Sequence, residues 1–283
     1  MDISIALIRE LREKSGAGMA DCKAALTETG GDIPKAIEFL RKKGAAMATK
    51  RADKIAKEGA IKSAINEDRT VGVIVEVNCE TDFVSKGEGF QNFAQNIANT
   101  ALSNGIEDTE SLMSAKGSDG LSVRDTIDSM MASVGEKIEM KRVKLLKAEN
   151  GFISTYIHFG SKVGAIIALK GKYSPEADDL GKKVAMQTVA MTPITVRREE
   201  VSQETIEKEK EIYITQSRNE KKPENIIDKI VANKLEKFFQ ENCLVEQSFI
   251  QDEKKSIGDI LKEYGKKSGE PLDVLAMARF QLG

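Results

Sequence analysis

The sequence has no tryptophan, one histidine, five prolines and three cysteines in 283 residues, and aromatic side chains make up only 5% of it. Each shortage excludes something. The lone histidine, His158, serves a catalytic triad or a His-ligated metal only if a nucleophile or other ligands come to it. Cys22, Cys79 and Cys243 are far apart, odd in number and form no C-x-x-C pair. They indicate neither a disulfide framework nor a metal site, and a reducing compartment is expected. No apolar run reaches about 18 residues, the length that marks a membrane-spanning helix. Asp2 follows the first methionine and no basic, apolar leader opens the chain, so no targeting segment is expected. These absences point to a cytoplasmic protein without membrane contact.

Signatures of covalent chemistry are missing as well. Gly160-Ser161-Lys162-Val163-Gly164 has its serine out of register for a nucleophile elbow. Gly171-Lys172 lacks the upstream glycine and the following Ser or Thr of a phosphate loop. No EF-hand spacing occurs. An enzyme would need a pocket of convergent titratable groups, and the sequence offers none; no cofactor is expected. His158 falls on a strand pattern, where a half-buried polar residue accounts for it.

What the chain has is charge: 43 basic and 45 acidic residues, 31% of the total, for a net charge of -2. Such a balance gives no global attraction to phosphate backbones, and direct nucleic-acid binding is not expected. The clearest basic stretch holds Arg41, Lys42, Lys43, Lys50, Arg51, Lys54 and Lys57 against one acid, Asp53, with no interleaved aromatics. It reads as a solvated linker or a contact for an acidic protein partner.

The expected fold class is α+β. Residues 1–45 read as three short helices: Ile5, Leu7, Ile8 and Leu11 on the first, which stops at Gly16; Met19 to Leu26 on the second, ended by Gly30-Gly31; and a third capped by Asp32, with Pro34 in its first turn, Ile37 and Leu40 on one face and Gly44 as its stop. Residues 46–57 read as a linker. Two hairpin-then-helix patterns follow. One spans Glu58 to Val77 with a turn at Asn66–Arg69, and its helix carries Phe90, Phe93, Ile97 and Leu102. The other spans Gly151 to Leu169 with a turn at Gly160–Lys162, and its helix carries Leu180, Val184, Met186 and Val189. They indicate two duplicated halves, 58–140 and 141–283, each an antiparallel sheet covered by helices. Between them a helix ends at Val134, breaks at Gly135 and gives way to a strand. A charged helical hairpin at about 199–240 would bury one thin seam, holding Val201, Ile206 and Tyr213 from its outgoing arm. A last helix is capped by Ser256 and stops at Gly265, and Val274–Leu282 would add a strand to the second sheet.

One stretch resists a purely structural account. In "VEVNCETDFVSKGEGF" a strand pattern stops at Asn78, and an acid, a hydroxyl, a second acid and a phenylalanine follow. Phe83 either turns inward to cap the sheet, or protrudes beside Asp82 as an apolar wedge for another protein.

"LREKSGAGMADCKAALTETGGDIPKAIEFLRKKG" followed by "VEVNCETDFV" closely resembles the translation elongation factor Ts family. "VGEKI", "GSKVGAIIALKG", "VAMTPITV" and "SIGDILKEYGKK" extend the resemblance over nearly the whole chain. The family pattern often has two methionines where this chain has Met19-Ala20, and many relatives carry a further helical module beyond the "RF" strand. The resemblance implies a guanine-nucleotide exchange factor for elongation factor Tu, with no covalent chemistry. It implies an N-terminal three-helix ubiquitin-associated-like module, two α+β subdomains and an inserted coiled-coil hairpin. It implies that Asp82 and Phe83, flanked by Thr81 and Val84, intrude on the GTPase nucleotide domain. Met19 and Lys23 would touch the same domain, Val134 and Gly135 would flank the wedge, and His158 would face the other GTPase domains. It leaves open a dimer through the hairpin or the core. A ribosome-associated or nascent-chain scaffold is the rival from another class.

Overall fold

The structure, a computed structural model, describes residues 3–15 and 17–283; the expected helix stop at Gly16 lies outside them. The first three helices are α1 (Ile5–Ser15), α2 (Met19–Glu28) and α3 (Ile33–Lys50). Ile8, Leu11, Cys22, Ala25, Leu26, Ala36 and Leu40 form their core. Ile5 points to solvent instead of joining that core. Asp32 caps α3 by accepting from the Lys35 N–H at 3.0 Å.

Gly44 does not stop α3, which runs six residues further into the stretch read as a linker. The glycine is a contact. A Cβ there would collide with the carbonyl of Asp128, so its absence lets α3 pack closely on a later helix. An Arg41–Asp125 ion pair lies along the same contact.

The rest of the chain runs β1 (Glu58–Ile65), β2 (Val71–Cys79), α4 (Asp82–Lys86), α5 (Glu88–Asn104), α6 (Thr109–Ser114), α7 (Val123–Val134), β3 (Glu139–Lys147), β4 (Gly151–Ile157), β5 (Val163–Lys170), α8 (Pro175–Met191), α9 (Gln203–Asn219), α10 (Glu224–Asn242), β6 (Ser248–Phe249), β7 (Asp252–Ser256), α11 (Ile257–Ser268) and β8 (Asp273–Gln281). Gly135 ends α7 in a left-handed conformation, φ 76°, which glycine adopts without strain. The fold class is α+β: two three-stranded antiparallel sheets, β1-β2-β3 and β4-β5-β8, and a two-stranded β6-β7 ribbon.

The two larger sheets stack face to face. Ile61, Ile74, Leu146, Ile153, Ile166 and Phe280 pack between them. The outer face of the first is covered by Phe90, Phe93 and Ile97 of α5, and that of the second by Leu180 and Val184 of α8. The central strands β2 and β5 are therefore buried on both faces, which explains their near-continuous apolar runs. Each of the fully buried isoleucines Ile61, Ile74, Ile153 and Ile166 contributes roughly 1.5–3 kcal/mol of transfer free energy.

Three expectations shift. β3 pairs with β2 as far as Lys147, so a division of the halves at 140/141 would cut through a strand of the first sheet. α11 passes Gly265 and ends at Gly269 in the left-handed conformation. In the hairpin seam Val201, just before α9, is buried against Phe238 with Ile206 packed on it, as expected, but within α9 itself only Ser217 is fully buried and Tyr213 is half-buried, while α10 contributes Ile227, Val231 and Phe238.

Candidate functional site

The stretch after β2 is neither a strand end nor a loop. Asp82–Lys86 closes into one turn of helix, α4, whose N-cap is Thr81. The Thr81 hydroxyl accepts from the Val84 N–H at 3.4 Å, satisfying one of the donors that a helix start leaves open. The turn is two-sided. Ser85 is buried and Val84 packs on the first-sheet core, while Phe83 is 87% exposed. Phe83 therefore does not cap the sheet. Asp82 is half-buried and bonded to Lys86 at 2.7 Å; that ammonium, with a smaller contribution from Lys162, holds its carboxyl below the usual range.

Two carboxylates anchor the turn from below. Glu136 accepts from the Thr81 N–H at 2.9 Å and from the Thr81 hydroxyl at 2.6 Å. Glu80 accepts from the Lys137 N–H at 2.6 Å and from the Arg51 guanidinium at 3.1 and 3.3 Å. Lys137 Nζ reaches the carbonyls of Ala52 and Lys54. The exits of β2, α7 and α3 thus meet at one place, and Val134 and Gly135 lie immediately before Glu136. Arg41, Lys43 and Arg51 of the basic stretch are engaged inside the molecule, with Asp125, Asp21 and Glu80.

The β4–β5 turn comes to the same end of the sheets. Ser161 O accepts from the Ile61 N–H at 2.7 Å, and Lys162 pairs with Glu58 at 2.8 Å. His158 lies just past β4, its Nδ1 2.8 Å from the Tyr156 hydroxyl. Beside it Phe159 is 96% exposed, a residue the sequence reading passed over although a phenylalanine next to a turn glycine was the available signal.

The structure therefore gathers Thr81, Asp82, Phe83, Val84, Val134 and Gly135 at one locus, with the His158 turn on the neighbouring edge. Met19, 42% exposed, and Lys23 share one face of α2, a different element. Among the described residues, no group of three or more His, Cys, Asp or Glu is placed to hold a metal ion, and no helix is long and apolar enough to cross a membrane.

The family model described as elongation factor TS matches residues 80–283, beginning at the glutamate that leads into α4. The chain is 47% identical over 284 aligned residues to elongation factor Ts of Chlorobium phaeobacteroides (strain BS1), with 99% of each chain covered. It is 48% identical to that of Prosthecochloris aestuarii, again over 99% of each. Against elongation factor Ts of Clostridium perfringens (strain 13 / Type A) the identity is 40%, covering 99% of this chain and 93% of the relative.

This chain belongs to the elongation factor Ts family. Membership of this family makes it a translation factor.

Proposed function

We propose that this chain accelerates GDP release from elongation factor Tu by inserting the Asp82–Phe83 turn beside the metal and phosphate site of the GTPase. The exchange role follows from family membership. The wedge reading rests above all on the exposure of Phe83 upon a capped, anchored helical turn. An 87% exposed phenylalanine gains nothing for this fold; burying it in a partner yields roughly 1.5–3 kcal/mol.

The mechanism is linkage. Bound GDP is held by phosphate contacts and by Mg2+ bridging phosphate oxygens and GTPase side chains. Mg2+ demands near-ideal octahedral geometry. A wedge that displaces the surrounding elements by about an ångström weakens both holds, and the factor's own binding energy offsets the strain. Asp82, whose carboxyl Lys86 holds below the usual carboxylate range, carries a hydrogen-bond acceptor to the inserted edge. Reciprocity requires nucleotide to weaken the factor as much as the factor weakens nucleotide, so incoming GTP expels it. No bond is made or broken, and the ratio of GTP to GDP sets the direction.

In this reading Val134 and Gly135 flank the wedge, Met19 and Lys23 of α2 touch the nucleotide domain, and His158, with Phe159, meets the other GTPase domains. Asp82→Ala and Phe83→Ala variants rank the two wedge residues in a GDP-release assay. Both are expected to fold and to exchange more slowly, Phe83→Ala the more so. Unchanged exchange in both would end the wedge reading.

A further inference from the structure

α4 is five residues long, far below the length at which a helix holds itself together. Its aim must come from elsewhere. Thr81 has a hydroxyl with one proton, and the geometry fixes where that proton goes. The oxygen accepts from the Val84 N–H, and Glu136 has no proton to give when ionised. The hydroxyl therefore donates to Glu136 Oε1 at 2.6 Å, while the Thr81 N–H donates to Oε2 at 2.9 Å. One carboxylate thus sets both the backbone of the cap and the direction of the capping hydroxyl.

The arrangement is reciprocal. Glu80 precedes Thr81 and binds the N–H of Lys137; Glu136 precedes Lys137 and binds the N–H of Thr81. Two chain exits are cross-tied by equivalent bonds, which fixes their register against sliding. Arg51, at the end of α3, supplies the positive charge that Glu80 faces, and α3 is itself locked on α7 through Gly44. Hydrogen bonds to charged groups are the strong ones, and four protein donors are spent here on two carboxylates only one helical turn from Phe83.

We propose that Glu136 and Glu80 are positioning residues for nucleotide exchange: they fix the height and direction of the Phe83 turn without touching the partner. The inference rests on the wedge reading above. Misplacing a group by about an ångström costs up to ~100-fold in the step it drives, whereas the remaining contact surface stays in place.

The test is stopped-flow release of a fluorescent GDP analogue from elongation factor Tu, across a range of factor concentrations. Full-length wild type, Glu136→Ala, Glu136→Gln, Phe83→Ala and the Glu136→Ala/Phe83→Ala double variant are compared. Glu136→Ala is expected to lower the saturating release rate at least ~10-fold, with the half-saturating concentration changed by less than ~3-fold. Glu136→Gln keeps one acceptor oxygen for the Thr81 N–H but reverses the hydroxyl bond, so it falls between Ala and wild type. The double variant is expected to be no slower than Phe83→Ala, since one residue acts through the other. If Glu136→Ala melts well below wild type, Thr81→Val carries the same test by removing the hydroxyl and keeping the shape. A wild-type saturating rate in the 136 variants, or losses that multiply in the double variant, with Phe83→Ala slow, overturns the positioning role and leaves the wedge intact. A fast Phe83→Ala overturns the wedge itself.

Discussion

The carbonyl of Ser161 accepts a 2.7 Å hydrogen bond from the N–H of Ile61. β1 is an edge strand of its sheet, and this bond uses an outward N–H to seat the β4–β5 turn of the other sheet against it. The turn carries Phe159, which makes no use of its ring within the fold. Phe159→Ser is expected to leave stability within about 0.5 kcal/mol, as exposed positions do. Removing an apolar anchor typically costs 1–2 kcal/mol or more of binding, so affinity for nucleotide-free elongation factor Tu should weaken about 10-fold. Titration by isothermal calorimetry measures it; unaltered affinity would remove Phe159 from the interface.

The α3–α7 contact is expected to be intolerant of a single methyl group. Gly44→Ala drives a Cβ into the carbonyl of Asp128, a backbone atom that has no rotamer to escape to. Overpacking of this kind costs about 1–3 kcal/mol. Thermal melting followed by circular dichroism should show a lowered midpoint, even though Ala is the better helix former. A raised midpoint would mean that the two helices part readily.

The turn between β1 and β2 is tied to the second sheet by one buried carboxylate. Asp178, 4% exposed, accepts from Ser154 at 2.9 Å and pairs with Arg69 at 3.3 Å and Lys182 at 2.9 Å. Arg69 also lies over the Tyr173 ring at 4.8 Å. Asp178→Asn keeps the volume and removes the charge, and should cost about 1–3 kcal/mol. A urea titration is expected to show a lower midpoint at unchanged slope; an unchanged midpoint would make the tie dispensable.

Cys79 ends β2 beneath the wedge. Burial, with help from the Glu136 and Glu58 charges, pushes its thiol from the ordinary value of 9.0 up to about 12. The folded state therefore keeps its proton where the unfolded state loses it. The stability this group contributes is fully present below pH 9 and declines as pH rises from about 9 toward 12. At pH 8 native Cys79 should resist iodoacetamide while the denatured chain reacts, as mass spectrometry of the tryptic peptide would show. Rapid native alkylation would contradict the burial.

The hairpins and their covering helices were legible because β-branched runs and 3.6-residue periodicity extend over whole elements, as in Val71–Cys79 and Glu88–Asn104. Gly44 was misread because a glycine after a helical stripe looks the same whether it ends a helix or admits a neighbour. α4 was missed because Asp82–Lys86 is shorter than any periodicity window. The exposed state of Phe83 was an open alternative in the residues themselves. The anchoring carboxylates lay beyond reach, since Glu136 meets Thr81 across 55 positions and Lys137 meets Glu80 across 57; nothing local in "CETDFV" or "SVGEKI" states that they touch.

Phe83 is the residue proposed to drive nucleotide out of elongation factor Tu. The most direct measurement is the rate of fluorescent GDP release at saturating factor, wild type against Phe83→Ala, with equal melting temperatures confirming that both are folded. The variant's plateau is expected to fall at least ~10-fold below wild type. A plateau equal to wild type would contradict it and place the exchange activity elsewhere on the surface.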